Sequence, residues 1–178
     1  MQNVTQAIQL SPEMLAQEFF RDSAGDWHSQ RRYYTLSNGE AQEVVSLIHV
    51  RYIEPGAPEL IQLAKMHHLD NLEVFICGSE VTWESSYTGT ERKPSKGSTL
   101  FGVLGSELYR DRGFATPKPI KAQYYFSQPK TMCLRSEYKG SVFEEELKLI
   151  GELYRTRQTI ISRAGQEQMI GQYLEKRI

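Results

Sequence analysis

Apolar residues along this chain follow two periods, and the change from one to the other comes early. Ser11-Pro12-Glu13 has the makings of a helix start: a hydroxyl N-cap, a proline at the first helical position and an acid in the first turn. Leu15 and Phe19 fall on one helical face and Gly25 ends the run, which predicts a helix over about 12–22. From Asp26 the period becomes two. Trp27, Ser29, Arg31 and Tyr33 share one face, with His28, Gln30, Arg32 and Tyr34 on the other. Asn38-Gly39 is a strong hairpin signal leading into a strand over Glu43 to Ile53. There Val45, Leu47 and Ile53 share a face with His49 and Arg51. Pro55 to Pro58 breaks the strand, and Pro58 to His67 reads as a short helix with Leu60, Leu63 and Ala64 inward.

After that the pattern is strand upon strand: Leu72 to Ile76, Glu80 to Tyr87, Ser98 to Leu104, Pro119 to Ser127, Thr131 to Tyr138, Val142 to Ile150 and Leu153 to Ser162. Thr88 to Gly97 is an exposed loop, and Lys139-Gly140-Ser141 and Ile150-Gly151-Glu152 are tight turns. Gln166 to Lys176 places Met169, Ile170, Tyr173 and Leu174 on one side of a predicted amphipathic helix, about 166–176. Evenly spaced short strands with turn signals between them predict a mostly β protein. The expected architecture is a single domain over 1–178, an antiparallel up-and-down β-barrel of about ten strands with a helix at each end.

Composition narrows the partners. Lys and Arg number 21 against 22 acidic residues, so no overall field favours nucleic acid or an anionic membrane, and anion recognition has to be local. Met1 to Gln17 lacks the basic and apolar regions of a signal peptide, and no run approaches the ~20 apolar residues of a membrane span. Cys77 and Cys133 are far apart and fit no metal-ligand spacing; they read as reduced thiols of a cytoplasmic protein.

Candidate chemistry lies on the late strands. Arg155 and Arg157 share a strand face with Leu153, Thr159 and Ile161, and two planar forks of donors on a partly apolar face suit carboxylates, unless that face meets solvent. Glu145 shares its face with Phe143, Leu147 and Leu149 and is the acid expected to point inward. Pairing about Ile150-Gly151 would set it opposite about residue 156, within diagonal reach of Arg155. Such a carboxylate can be a structural partner of the arginine or can hold a protonated ligand nitrogen. Trp83, Tyr124, Phe126, Tyr33 and Trp27 offer flat apolar walls, and Ser29, Ser85, Gly102 and Ala122 are small enough to leave interior room. No nucleophile elbow, phosphate loop or paired-histidine metal site is present, and the adjacent His67 and His68 diverge.

Several short motifs occur in a telling order. Ser23-x-Gly25-x-Trp27-x-Ser29-Gln30-Arg31 follows a helix ending in Phe19-Phe20; then come Trp83-Glu84, Gly97-Ser98-Thr99-Leu100 and Arg112-Gly113-Phe114-Ala115. Ser136-Glu137-Tyr138, Glu144-Glu145 and Tyr154-Arg155-Thr156-Arg157-Gln158-Thr159 complete the series. From about Phe19 to Leu174 the chain resembles the CpcS/CpeS-type phycobiliprotein lyases of cyanobacteria and related plastids. The resemblance implies a lipocalin-like or fatty-acid-binding-protein-like barrel. It also implies a lyase that takes a free linear tetrapyrrole, expected to be phycocyanobilin, as substrate rather than as a permanent cofactor. The pigment would be joined by a thioether to a cysteine of an apo-phycobiliprotein subunit, of phycocyanin or allophycocyanin type. On that resemblance Arg155, Arg157 and Arg31 meet the propionates, Glu145 sits by the pyrrole nitrogens and Trp83 lies against the rings, with Glu145 and Arg155 in the catalytic roles and Tyr124 a further wall. It implies a homodimer, for which exposed Tyr34 and Tyr125 would serve. The competing expectation is a non-catalytic carrier of a small acidic, hydrophobic ligand in the same kind of barrel.

Overall fold

The computed structural model describes residues 9–178, in which ten strands close into a barrel. A first helix, α1 (Pro12–Ser23), precedes β1 (Gly25–Thr35) and β2 (Glu40–Ile53); a second, α2 (Pro58–Met66), separates these from the rest. The remaining strands are β3 (Cys77–Tyr87), β4 (Ser95–Leu104), β5 (Glu107–Arg110), β6 (Ile120–Gln128), β7 (Thr131–Tyr138), β8 (Ser141–Ile150), β9 (Tyr154–Arg163) and β10 (Gln166–Arg177). Sequence neighbours pair antiparallel, and β10 returns to β1 with Arg31 opposite Tyr173, so the sheet closes on itself.

Alternation decides what enters the barrel. On β2 Val44, Ser46, Ile48 and Val50 are buried, while Val45, Leu47, His49 and Arg51 are exposed. The face singled out from the sequence is therefore the outer one for most of its length. Arg51 there reaches across to Glu80 and Glu59, a surface pairing of small energetic weight.

α1 closes one end. Ser11 Oγ accepts a hydrogen bond from the Met14 amide at 3.2 Å, which starts the helix. Ala16, Phe19 and Phe20 are buried and pack into the core cluster with Trp27, Ile48 and Val50. The helix is tied down from the far end of the chain. Arg177 donates from Nη2 to the Asp22 carbonyl (2.6 Å), from Nη1 to the Ala24 carbonyl (2.5 Å) and from Nε to the Glu152 carbonyl (2.9 Å), and its guanidinium lies 4.2 Å from the Trp27 ring. Gly25 is required beside it, because its φ of +125° is a backbone conformation that residues with a side chain rarely adopt. Arg177→Ala is expected to cost about 2–3 kcal/mol in urea unfolding, since several charge-assisted hydrogen bonds go at once; an unchanged midpoint would show that water replaces them without loss.

α2 packs on the outside of the sheet. Leu60, Leu63 and Ala64 meet Ile53, Phe75 and Tyr109 in a second cluster. Gly102 belongs here and not to the interior, since a Cβ on it would lie 2.9 Å from both Leu63 and Phe75 side-chain atoms. Ser29, Ser85 and Ala122, the other small positions, are buried.

Four expectations need correction. Residues 166–176 form β10, not a helix: Met169, Ile170, Tyr173 and Leu174 imitate a helical stripe, but the buried positions are Gly171, Tyr173 and Glu175, alternating with exposed Gln172, Leu174 and Lys176. Leu72 to Ile76 is not a strand; it carries Phe75 under α2. β5 was not foreseen, because four residues between two turns show too little periodicity. Finally, the β8–β9 turn takes in Gly151, Glu152 and Leu153, so Glu145 stands opposite Thr159 and Leu149 opposite Arg155.

Candidate functional site: a cavity lined by arginines and aromatic rings

The inward residues of every strand but β6 surround a cavity of about 200 Å3 that α1 floors with Phe19 and Phe20. Five arginines line it: Arg31, Arg110, Arg112, Arg155 and Arg157. Two carboxylates answer them, Glu145 on the wall and Glu175 behind Arg155, so positive charge exceeds negative inside a chain whose net charge is −1. Arg110 and Arg155 are buried, Arg157 and Arg31 are half-buried and Arg112 is exposed, so the unmatched cations are the more accessible ones, open to an anionic ligand.

Two networks hold the groups in place. In the first, Glu145 Oε1 accepts from Arg157 Nη2, while Glu145 Oε2 lies 3.7 Å from Arg110 Nη1. The register brings this about: with Thr159 opposite Glu145, Arg157 is its diagonal neighbour on β9. Burial alone would raise the Glu145 pKa, but Arg157 and Arg110 outweigh it and hold the carboxyl below its ordinary value. The same burial would lower Arg157, and Glu145 turns that shift upward. Arg110 Nε and Arg157 Nε are both buried without a hydrogen-bond partner among the described residues.

In the second network Arg155 Nε donates to Glu175 Oε2 at 2.5 Å. Ser29 Oγ donates to Glu175 Oε1 at 3.1 Å and accepts from Arg31 Nε at 3.1 Å. Burial lowers the Arg155 pKa, with Glu175 opposing it. The Arg155 guanidinium is 4.8 Å from the Trp27 ring.

Aromatic rings supply much of the remaining wall, beside apolar chains such as Ile48, Val81, Met132 and Leu147. Trp83 is turned into the cavity with Arg112 at 6.0 Å from its ring, and it lies over Gly97, where a Cβ would come within 2.6 Å of the indole. Arg31 and Arg157 each lie 5.2 Å from the Tyr173 ring. At the end of the barrel away from α1 a wider cavity of about 650 Å3 opens among Thr35, Gln42, Tyr87, Phe143, Ile161 and Met169.

The structure thus brings together Arg31, Trp83, Glu145, Arg155 and Arg157 around one cavity, although Glu145 pairs with Arg157 and not with Arg155. Tyr124 is elsewhere: its hydroxyl donates to the Gly105 carbonyl at 2.5 Å and its ring packs edge-on against Phe126 at 6.1 Å, so it is core. The sequence reading missed Arg110, which sits on the unforeseen β5, and Glu175, hidden in the supposed helix. Strict alternation of Gly171, Tyr173, Glu175 and Arg177 was the available signal for the latter. Both cysteines are unbridged and buried, and burial pushes the Cys77 thiol up to about 12.

Comparison with known proteins gives this cavity its context. The S-type phycobiliprotein lyase CpeS of Guillardia theta has the same fold, with a TM-score of 0.78 at 22% identity over 92% of each chain. CpcS 2 of Nostoc sp. is 58% identical over 178 residues, which is 100% of this chain and 99% of that protein. The phycocyanobilin lyase subunit CpcS of Picosynechococcus sp. is 28% identical over 158 residues, covering 84% of this chain and 79% of that one. The family described as CpeS-like protein matches residues 15–178, and with that match the chain belongs to the CpeS-like family.

Proposed function

We propose that this protein is a chromophore lyase that binds a linear tetrapyrrole, phycocyanobilin, and promotes its attachment through a thioether to a cysteine of an apo-phycobiliprotein. The observation that carries the reading is the surplus of guanidinium charge, five arginines lining the cavity against two carboxylates, among aromatic and aliphatic side chains. A bilin matches both features, with its conjugated rings and two propionates. The lyase name of the Picosynechococcus CpcS subunit supports the same class of substrate.

The residues divide the work. Arg157 and Arg110 are held by Glu145 until a propionate arrives; one carboxylate then replaces another on the guanidiniums, an exchange that leaves the charge count of the pair unchanged. Glu145, released, is free to face the pyrrole nitrogens, where a negative charge favours the protonated and more electrophilic pigment. Arg155, fixed through its Nε by Glu175, keeps its terminal amines for the second propionate. The acceptor thiol gives up its proton, its sulfur bonds to the ethylidene carbon of ring A, and a proton enters the conjugated system, so nothing leaves. A fixed pigment gains rate through orientation. The nucleophile belongs to the acceptor, since a Cys77 thiol held protonated under α1 is a poor one.

The experiment is attachment itself. An apo-phycobiliprotein mixed with phycocyanobilin is expected to stay coloured after denaturation only when this chain was present. Cys77→Ala combined with Cys133→Ala should match the parent protein. Pigment that binds the barrel but never becomes denaturation-resistant on the acceptor would make the protein a carrier; loss of transfer in a folded double-cysteine variant would point to a covalent relay.

A further inference from the structure

Two cavities meet inside this barrel, and the three side chains common to both are aromatic: Tyr33, Phe114 and Tyr173. We infer that these rings form a collar that selects ligands by shape, passing a flat conjugated acid and holding it across both chambers with its acid groups inward. This rests on the tetrapyrrole reading and goes beyond it, by assigning selectivity to rings rather than to the arginines.

The volumes require a ligand to straddle the collar. The inner chamber, about 200 Å3, is smaller than the ~300 Å3 at the low end of pockets that enclose a whole small molecule, yet it holds the arginines. The outer chamber, about 650 Å3, has the room. A pigment whose propionates reach Arg157 therefore leaves much of its ring system in the collar and the mouth, where an incoming thiol could meet it.

Each ring is fixed by its surroundings. Tyr33 and Tyr173 meet edge-on, 5.7 Å apart at 87°, and Gly171, opposite Tyr33, leaves room for both; a Cβ there would lie 3.1 Å from Tyr173 and 3.2 Å from Tyr33 ring atoms. Phe114 comes from the loop between β5 and β6, which is anchored and not a free flap. The Gly113 amide donates to the Thr116 carbonyl at 2.9 Å and the Ala115 amide to Tyr138 Oη at 3.0 Å. Gly113 is needed for this seat, since a Cβ would lie 2.8 Å from the same hydroxyl. The Phe114 ring stacks on Phe143, 5.7 Å away at 11°. Arg157 backs two of the three rings, 5.2 Å from Tyr173 and 5.7 Å from Phe114, so an acid passing the collar arrives at a cation.

Biliverdin and bilirubin test the collar. Both are open-chain tetrapyrroles with two propionates, but the first is conjugated through its central bridge and the second is folded about a saturated carbon. Absorbance titrations of the full-length protein should give a dissociation-constant ratio that favours biliverdin. In Phe114→Ala that preference should fall by about threefold to tenfold, the range one aromatic contact contributes. In Gly171→Ala, where the added methyl crowds the two tyrosine rings, it should rise. If the arginines alone select, both pigments respond alike, and a ratio within about twofold of wild type in either folded variant overturns the collar. Wild-type protein that binds neither pigment overturns the tetrapyrrole reading, and the collar with it.

Discussion

Glu145→Ala is expected to lower the stability of the ligand-free barrel by about 3–5 kcal/mol and to abolish pigment transfer while leaving pigment binding intact. The Glu145 side chain is 2% exposed and stands between Arg157 and Arg110, so its loss leaves two like charges buried together. A propionate can take the vacated place. Pigment at 100 times its dissociation constant should therefore return about 2.7 kcal/mol to the variant in urea unfolding. The charge can be separated from the shape with Glu145→Gln. The folded pKa of Glu145 lies below its unfolded value, so its contribution is complete above the unfolded pKa of about 4.3 and is lost as the pH falls through the folded one. The stability gap between wild type and Glu145→Gln should accordingly narrow on acidification from pH 7. A gap that stays constant down to pH 3 would mean that the carboxylate matters for its shape or hydrogen bonds and not for its charge. Transfer that survives in Glu145→Ala would remove this residue from the chemistry.

The barrel was legible in the sequence because alternation survives even where the inward residue is polar. Ser29 and Arg31 keep the beat of Trp27 and Tyr33, and tight turns such as Asn38-Gly39 mark the hairpins. The site was partly legible for the same reason: Glu145, Arg155 and Arg157 stand out as charges in apolar company. What failed was pairing, which depends on turn length. Taking Gly151 to Leu153 as a tighter turn moved the register and joined Glu145 to the wrong arginine. The helix assigned to residues 166–176 failed for a related reason. Glu175 at an inward position breaks the hydrophobic alternation of β10, and what remains looks helical. A buried glutamate in a strand makes sense only once its arginine is known, and that arginine lies on the neighbouring strand, Glu175 standing opposite Arg155.

That pair yields the other large effect. Glu175→Ala and Arg155→Ala should each cost about 3–5 kcal/mol, because each leaves its partner's charge buried alone: Glu175 is fully buried and Arg155 is 6% exposed. The double alanine variant should cost less than the sum, with a coupling of about 1–3 kcal/mol in a double-mutant cycle. The decisive variant is Arg155→Met with Glu175→Leu. Replacing a buried ion pair with apolar side chains of similar volume is often neutral or stabilising, so this barrel should unfold at or above the wild-type urea midpoint. Its pigment transfer should nevertheless be lost, because the cation proposed to meet a propionate has gone. Stability and transfer would then part company, which is the signature of an ion pair kept for its ligand. If instead the apolar pair unfolds early and still transfers pigment, Arg155 and Glu175 are there to hold β9 to β10 and beneath Trp27, and the propionates must rely on Arg31, Arg110 and Arg157.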